Sequence, residues 1–149
     1  MVAQAITQRQ RWAYLALGMQ QDVAAYQQLQ TLLNTQFHAA LRHDAAGMQA
    51  IAEQITAQAQ LLEASAAQRF AHVQALLPQG AALSMQALFA LMKSPLKEQF
   101  AGLWAQLEAQ VTACKAMNLR NCQLIMQQAE TMQHVIAGGW LQEDIYAPR

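Results

Sequence analysis

WAYLALGMQQDVAAYQQLQTLLNTQFHAAL, residues 12–41, decides the fold. Its apolar stripe is Trp12, Leu15, Met19, Val23, Tyr26, Leu29, Leu33, Phe37 and Leu41. Every step between neighbours in that set is three or four residues, which places them all on one face of an α-helix. The spacing predicts a helix from about residue 5 to residue 41, a rod roughly 50 Å long at 1.5 Å per residue. A rod with one apolar face needs other helices to cover it.

The rest of the chain supplies them. His43-Asp44 interrupts the pattern, and Asp44 is a good helix N-cap. A second stripe follows: Met48, Ile51, Ile55, Ala59, Leu62, Ala66, Arg69 or Phe70, Val73, then Leu76 or Leu77. The short connection makes these two helices antiparallel neighbours. Pro78-Gln79-Gly80 ends the second helix. Residues 81–92, AALSMQALFALM, are apolar nearly all round and read as a short helix that covers the bundle end or lies in a partner groove. Ser94-Pro95 opens the last helix with a cap residue and a proline in its first turn. Its seam runs Leu96, Phe100, Leu103, Leu107, Val111, Cys114, Met117 or Asn118, Asn121, Ile125, Gln128, Met132, Val135. That spacing is close to heptad, so coiled-coil-like packing is expected. Gly138-Gly139 is the expected stop, with a mobile tail from 138 to 149 behind a bundle over 1–137. The expected fold class is all-α: one domain, an elongated antiparallel bundle of three long helices plus a short extra helix.

Composition agrees and narrows the function. At 149 residues the chain can bury a core. Hydrophobic residues make up 54 % and charged residues 12 %, about half the usual share of charge. Much of the apolar fraction is alanine and much of the polar surface is glutamine, both good helix formers. The formal net charge is +0, and the cations stand singly, as at Arg42, Arg69, Lys93, Lys97, Lys115 and Arg120. No run of cations exists to neutralise phosphates, which argues against nucleic acid and against a polybasic membrane contact. Arg9 and Arg11 precede a short apolar run, but no small-residue cleavage site follows, so a signal peptide is not expected. Cys114 and Cys122 stand about 12 Å apart along one helix, too far for a disulfide, and are expected as reduced thiols of a cytoplasmic protein.

Catalytic patterns are missing. Neither a glycine-rich phosphate loop nor a nucleophile elbow occurs, and acids are few. Glu130 and His134 share a helix face, but a dimetal bundle needs Glu-x-x-His on two helices with further carboxylates. The expectation is no enzyme, no cofactor and no metal.

Binding signals are stronger. Met85, Met92, Met117, Met126 and Met132 concentrate in the second half. Methionine suits surfaces that accept varied partners, and equally suits core filling. A second stripe on the last helix, Leu119, Cys122, Met126, Ala129, Ile136 and Trp140, is rotated about 100° from the seam. It reads as a groove for an amphipathic partner helix, or as the wide arc of a helix wedged between two others. Asn118 and Asn121 either fix register inside the seam or mark a half-exposed stretch.

Three motifs carry a family resemblance: DAAGMQAI at 44–51, NLRNCQLIM at 118–126, and IYAPR at 145–149. With the helix lengths, they resemble the FlgN family of flagellar export chaperones over nearly the whole chain. The resemblance implies binding of the C-terminal segments of the hook–filament junction proteins FlgK and FlgL. It places cargo on the last half of the third long helix, here Leu119, Cys122, Met126, Ile136 and Trp140. It also implies delivery to the export gate protein FlhA, with Tyr146 as the contact. The rival expectation is a self-associating coiled-coil scaffold or adaptor without cargo.

Overall fold

A computed structural model describes residues 6–146, with side chains as far as 138. Its elements are α1 (Gln8–Leu41), α2 (Ala45–Leu76), α3 (Met85–Ala90) and α4 (Leu96–Tyr146). Three long helices and one short one make up the described chain.

Local chemistry sets each boundary. Thr7 and Gln10 form a capping box: the Thr7 hydroxyl accepts from the Gln10 amide, and the Gln10 side chain accepts from the Thr7 amide. That reciprocal pair starts α1 at Gln8, three residues later than the apolar pattern alone suggests. Asp44 caps α2 by accepting from the Gly47 amide at 2.9 Å. A methyl group at position 47 would overlap the Asp44 carboxylate, so the glycine gives the cap its room. Gly80, at φ +86, turns the chain away after α2. Ser94 behaves differently from the expected cap. Its hydroxyl donates to the Glu98 carboxylate at 2.6 Å, and this bond holds the Glu98 acid below its usual range.

The core sits at one end. Leu15 and Met19 of α1, Val73 and Leu76 of α2, and Phe100 and Leu107 of α4 are buried together. Residues 81–92 fold over this end, where Met85, Leu88, Phe89 and Met92 complete the cluster. The short helix is therefore a lid on the bundle end. Trp12 meets the Phe100 ring edge-on at 5.6 Å. Because the lid keeps the chain at the end where α2 stops, α4 starts there and runs beside α1 in the same direction.

Hydrogen bonds fix the register of that pair. Cys114 Sγ donates to the Tyr26 carbonyl, Asn121 Nδ2 to the Leu33 carbonyl and Gln128 Nε2 to the Ala40 carbonyl. Each pair is separated by 88 positions, and successive rungs lie one heptad apart. A residue of α1 thus faces the residue of α4 numbered 88 higher.

Two further features depart from the sequence reading. Gly138-Gly139 does not stop α4, whose backbone stays helical to Tyr146. Glycine costs only about 1 kcal/mol per residue in a helix interior, which the flanking turns can absorb. Closure is also incomplete. Among the described residues no Cα atom of α2 comes within 8 Å of one in α4. Both helices lean on α1, and small Ala59 and Ala66 on the facing side of α2 leave the space between them unfilled.

Candidate partner-binding site

The register determines where α4 loses its cover. α1 ends at Leu41, opposite Ala129 of α4. Beyond that point the register leaves no residue of α1 opposite α4, α2 makes no Cα approach to it within 8 Å among the described residues, and residues 129–137 are exposed without exception. Met132, Val135 and Ile136 lie in this overhang at 60 %, 64 % and 54 % exposure. The near-heptad seam continues past the last residue of the helix it packs on.

The predicted stripe falls on this surface in two parts. Leu119, Cys122 and Met126 flank the covered portion of α4, with Leu119 at 59 % and Met126 at 61 % exposure. Ile136 lies on the overhang. An ideal helix turns about 100° per residue, so Met126 stands about 100° from Ile125, whereas Ile136 stands only about 20° from it. A heptad-spaced stripe drifts on a straight 3.6-residue helix, and here it swings toward the seam as it reaches the overhang. The Trp140 and Tyr146 side chains lie outside the described residues.

Of the two asparagines, the structure separates the roles. Asn121 is 1 % exposed and fully bonded: Nδ2 donates to the Leu33 carbonyl at 2.7 Å and to Gln36 Oε1 at 2.8 Å. Its Oδ1 accepts from Arg120, which lies 3.9 Å over the Phe37 ring. Asn118 is exposed and faces the space between α2 and α4. Cys114 is buried and Cys122 exposed, and both thiols are free. Burial pushes the Cys114 thiol above its ordinary pKa.

One cluster escaped the sequence reading. Asp22, 4 % exposed, accepts from Ser65 Oγ and from Arg69 Nη1, each at 2.6 Å. The Arg69 guanidinium lies 5.6 Å over the Trp104 ring of α4. The group ties α2 to α1 and reaches across to α4. Its signal was available, because Asp22 stands beside the stripe, three residues after Met19 and four before Tyr26, where only a partnered acid can be buried.

The arrangement supports binding chemistry. Among the described residues no three His, Cys, Asp or Glu side chains gather as a metal site, and no helix is long and apolar enough to cross a membrane. Glu130 and His134 are exposed on the overhang. What α4 offers is a charge-poor apolar face rich in flexible side chains.

Residues 12–138 match the family model described as FlgN protein. No curated protein and no solved structure gave a match. The matched span covers α2 and α3 entirely, nearly all of α1, and α4 as far as the end of its described side chains. The chain belongs to the FlgN family, a family of flagellar export chaperones.

Proposed function

We propose that this protein is a cytoplasmic export chaperone for the hook–filament junction proteins FlgK and FlgL. It holds their C-terminal segments on α4 and brings them to FlhA at the export gate, with Tyr146 as the gate contact. The observation that carries the reading is the overhang of α4, with Met132, Val135 and Ile136 exposed beyond the end of α1. Leu119, Cys122 and Met126 extend this face back along the bundle, and Trp140 is the next position of the stripe in the sequence.

The physics suits the task. Cargo that polymerises through its terminal segments has to be kept apart until export. An apolar helix face can hide such a segment without nucleotide-driven chemistry. Ordering a disordered segment costs conformational entropy, which keeps affinity moderate and release possible.

Met126→Asp and Ile136→Asp test the assignment. Both residues are more than half exposed, so the fold should tolerate either change. The expected result is loss of FlgK and FlgL segment binding with helix content intact by circular dichroism. Normal binding by both variants would remove α4 as the cargo face.

A further inference from the structure

The exposed face of α4 does not end at Leu119. Counting back along the helix at about 100° per residue, Cys122 and Met126 share a face with Asn118, Lys115, Val111 and Trp104. Those four line the open slot between α2 and α4. The slot is floored by Tyr26, Leu29 and Leu33 of α1 and walled on the other side by Ile55 and Ala59 of α2. Burial raises the Tyr26 phenol above its ordinary pKa, which fits an apolar floor. At the far end Arg69 lies over Trp104, with Leu83, Ser84 and Met85 beyond it. The slot and the cargo face are thus one strip of α4, open at the overhang and stopped at the lid.

We infer that the segment captured on α4 continues into this slot as an amphipathic helix, with an acidic side chain opposite Lys115. The inference rests on the chaperone reading and extends its site. Three observations support it. First, α2 and α4 lean on α1 with no Cα pair within 8 Å of each other among the described residues, and Arg69 bridges to Trp104 at the lid end. This leaves the position of a fourth helix below that bridge, and a helix laid in such a groove completes a four-helix packing. From Trp104 to Asn118 the slot is about 20 Å long, room for roughly four turns. Second, the lining is largely apolar, and an extended strand there would leave its backbone N–H and C=O groups unpaired, whereas a helix satisfies its own. Third, the charges leave one cation available. Arg69 is bonded to Asp22, Glu108 stands two helical turns from Lys115, and Lys115 has no carboxylate within 4 Å among the described residues.

Titration of the unaltered protein and three variants with C-terminal segments of FlgK and FlgL tests this. Ala59→Trp fills the slot from an exposed position. Lys115→Glu reverses its free charge. Ala57→Trp, about 160° away round α2 and also exposed, adds the same bulk outside the slot. The expected result is binding about tenfold or more weaker for Ala59→Trp, several-fold weaker for Lys115→Glu, and unchanged for Ala57→Trp. Wild-type affinity in Ala59→Trp, with binding still lost in Met126→Asp, would overturn the slot and leave the chaperone reading standing. Equal weakening by Ala57→Trp would also overturn it, because the effect would not belong to the slot. Failure of the unaltered protein to bind either segment would overturn both readings.

Discussion

Replacing Arg69 with methionine should destabilise the fold by about 3 kcal/mol, because it strands a buried charge. Asp22 is 4 % exposed, and its carboxylate has two partners, Ser65 and Arg69. Removing the cation leaves the anion with one neutral hydrogen bond in a site that water barely reaches. Breaking a buried pair from one side costs about 3–5 kcal/mol. The Arg69 side chain is 20 % exposed, so solvent can partly replace it, and the lower figure applies. Ser65→Ala removes only one hydrogen bond to a charged acceptor and should cost about half as much. Asp22→Leu combined with Arg69→Met removes both charges, and should return to within about 1 kcal/mol of the parent. Urea unfolding followed by circular dichroism reads these differences. With a slope near 2 kcal/mol per molar, Arg69→Met should lower the midpoint by about 1.5 M. A loss under about 1 kcal/mol for Arg69→Met would show that the Asp22 charge is not desolvated, refuting the argument. If the double variant stays as unstable as the single one, the cost lies in lost packing of the guanidinium on Trp104.

Other consequences can be checked separately. Asn121→Ala should cost about 2 kcal/mol in the same unfolding assay, since it removes a buried side chain that bonds α4 to Leu33 and Gln36. His72 is held below its ordinary pKa by burial and by the Arg11 cation beside it. The unfolded chain therefore binds more protons there as pH falls below about 6.5, so His72 should make the fold lose stability in that window. NMR titration of the His72 ring should give a midpoint under the ordinary histidine value, and His72→Gln should flatten that part of the stability profile. Thiol labelling of the native protein should modify Cys122 rapidly, while Cys114, buried and with its thiol pKa raised, should wait for unfolding. Equal rates at the two cysteines would contradict the placement of α4 on α1.

Much of the fold was legible because apolar periodicity on long helices is a strong signal. Leu15, Met19 and Leu33 are buried as their spacing requires, and Asp44 caps α2 as its position suggests. The seam of α4 was legible too, but not where its cover ended. Met132 and Val135 continue the same spacing as Leu107 and Val111, and only the length of α1 separates the exposed residues from the covered ones. Periodicity reports which face is apolar and is silent on whether anything opposes it.

The same limit explains the remaining differences. Gly138-Gly139 has the form of a helix stop, yet nothing in an isolated sequence measures how far neighbouring turns can carry a helix through two glycines. The open slot depends on how α2 and α4 lean on α1, a tertiary relation that neither stripe encodes by itself. Phe70, one of two options at its stripe position, is 53 % exposed, while Arg69 turns inward to Asp22. A buried ion pair overrode hydrophobicity there, and the decisive partner lies 47 residues away.

The most direct test of the central claim is a calorimetric titration of the protein with the C-terminal segments of FlgK and FlgL from the same organism. The account predicts saturable binding near one-to-one, with helix gained as the segment orders. No binding by either segment or by the full-length proteins would contradict it.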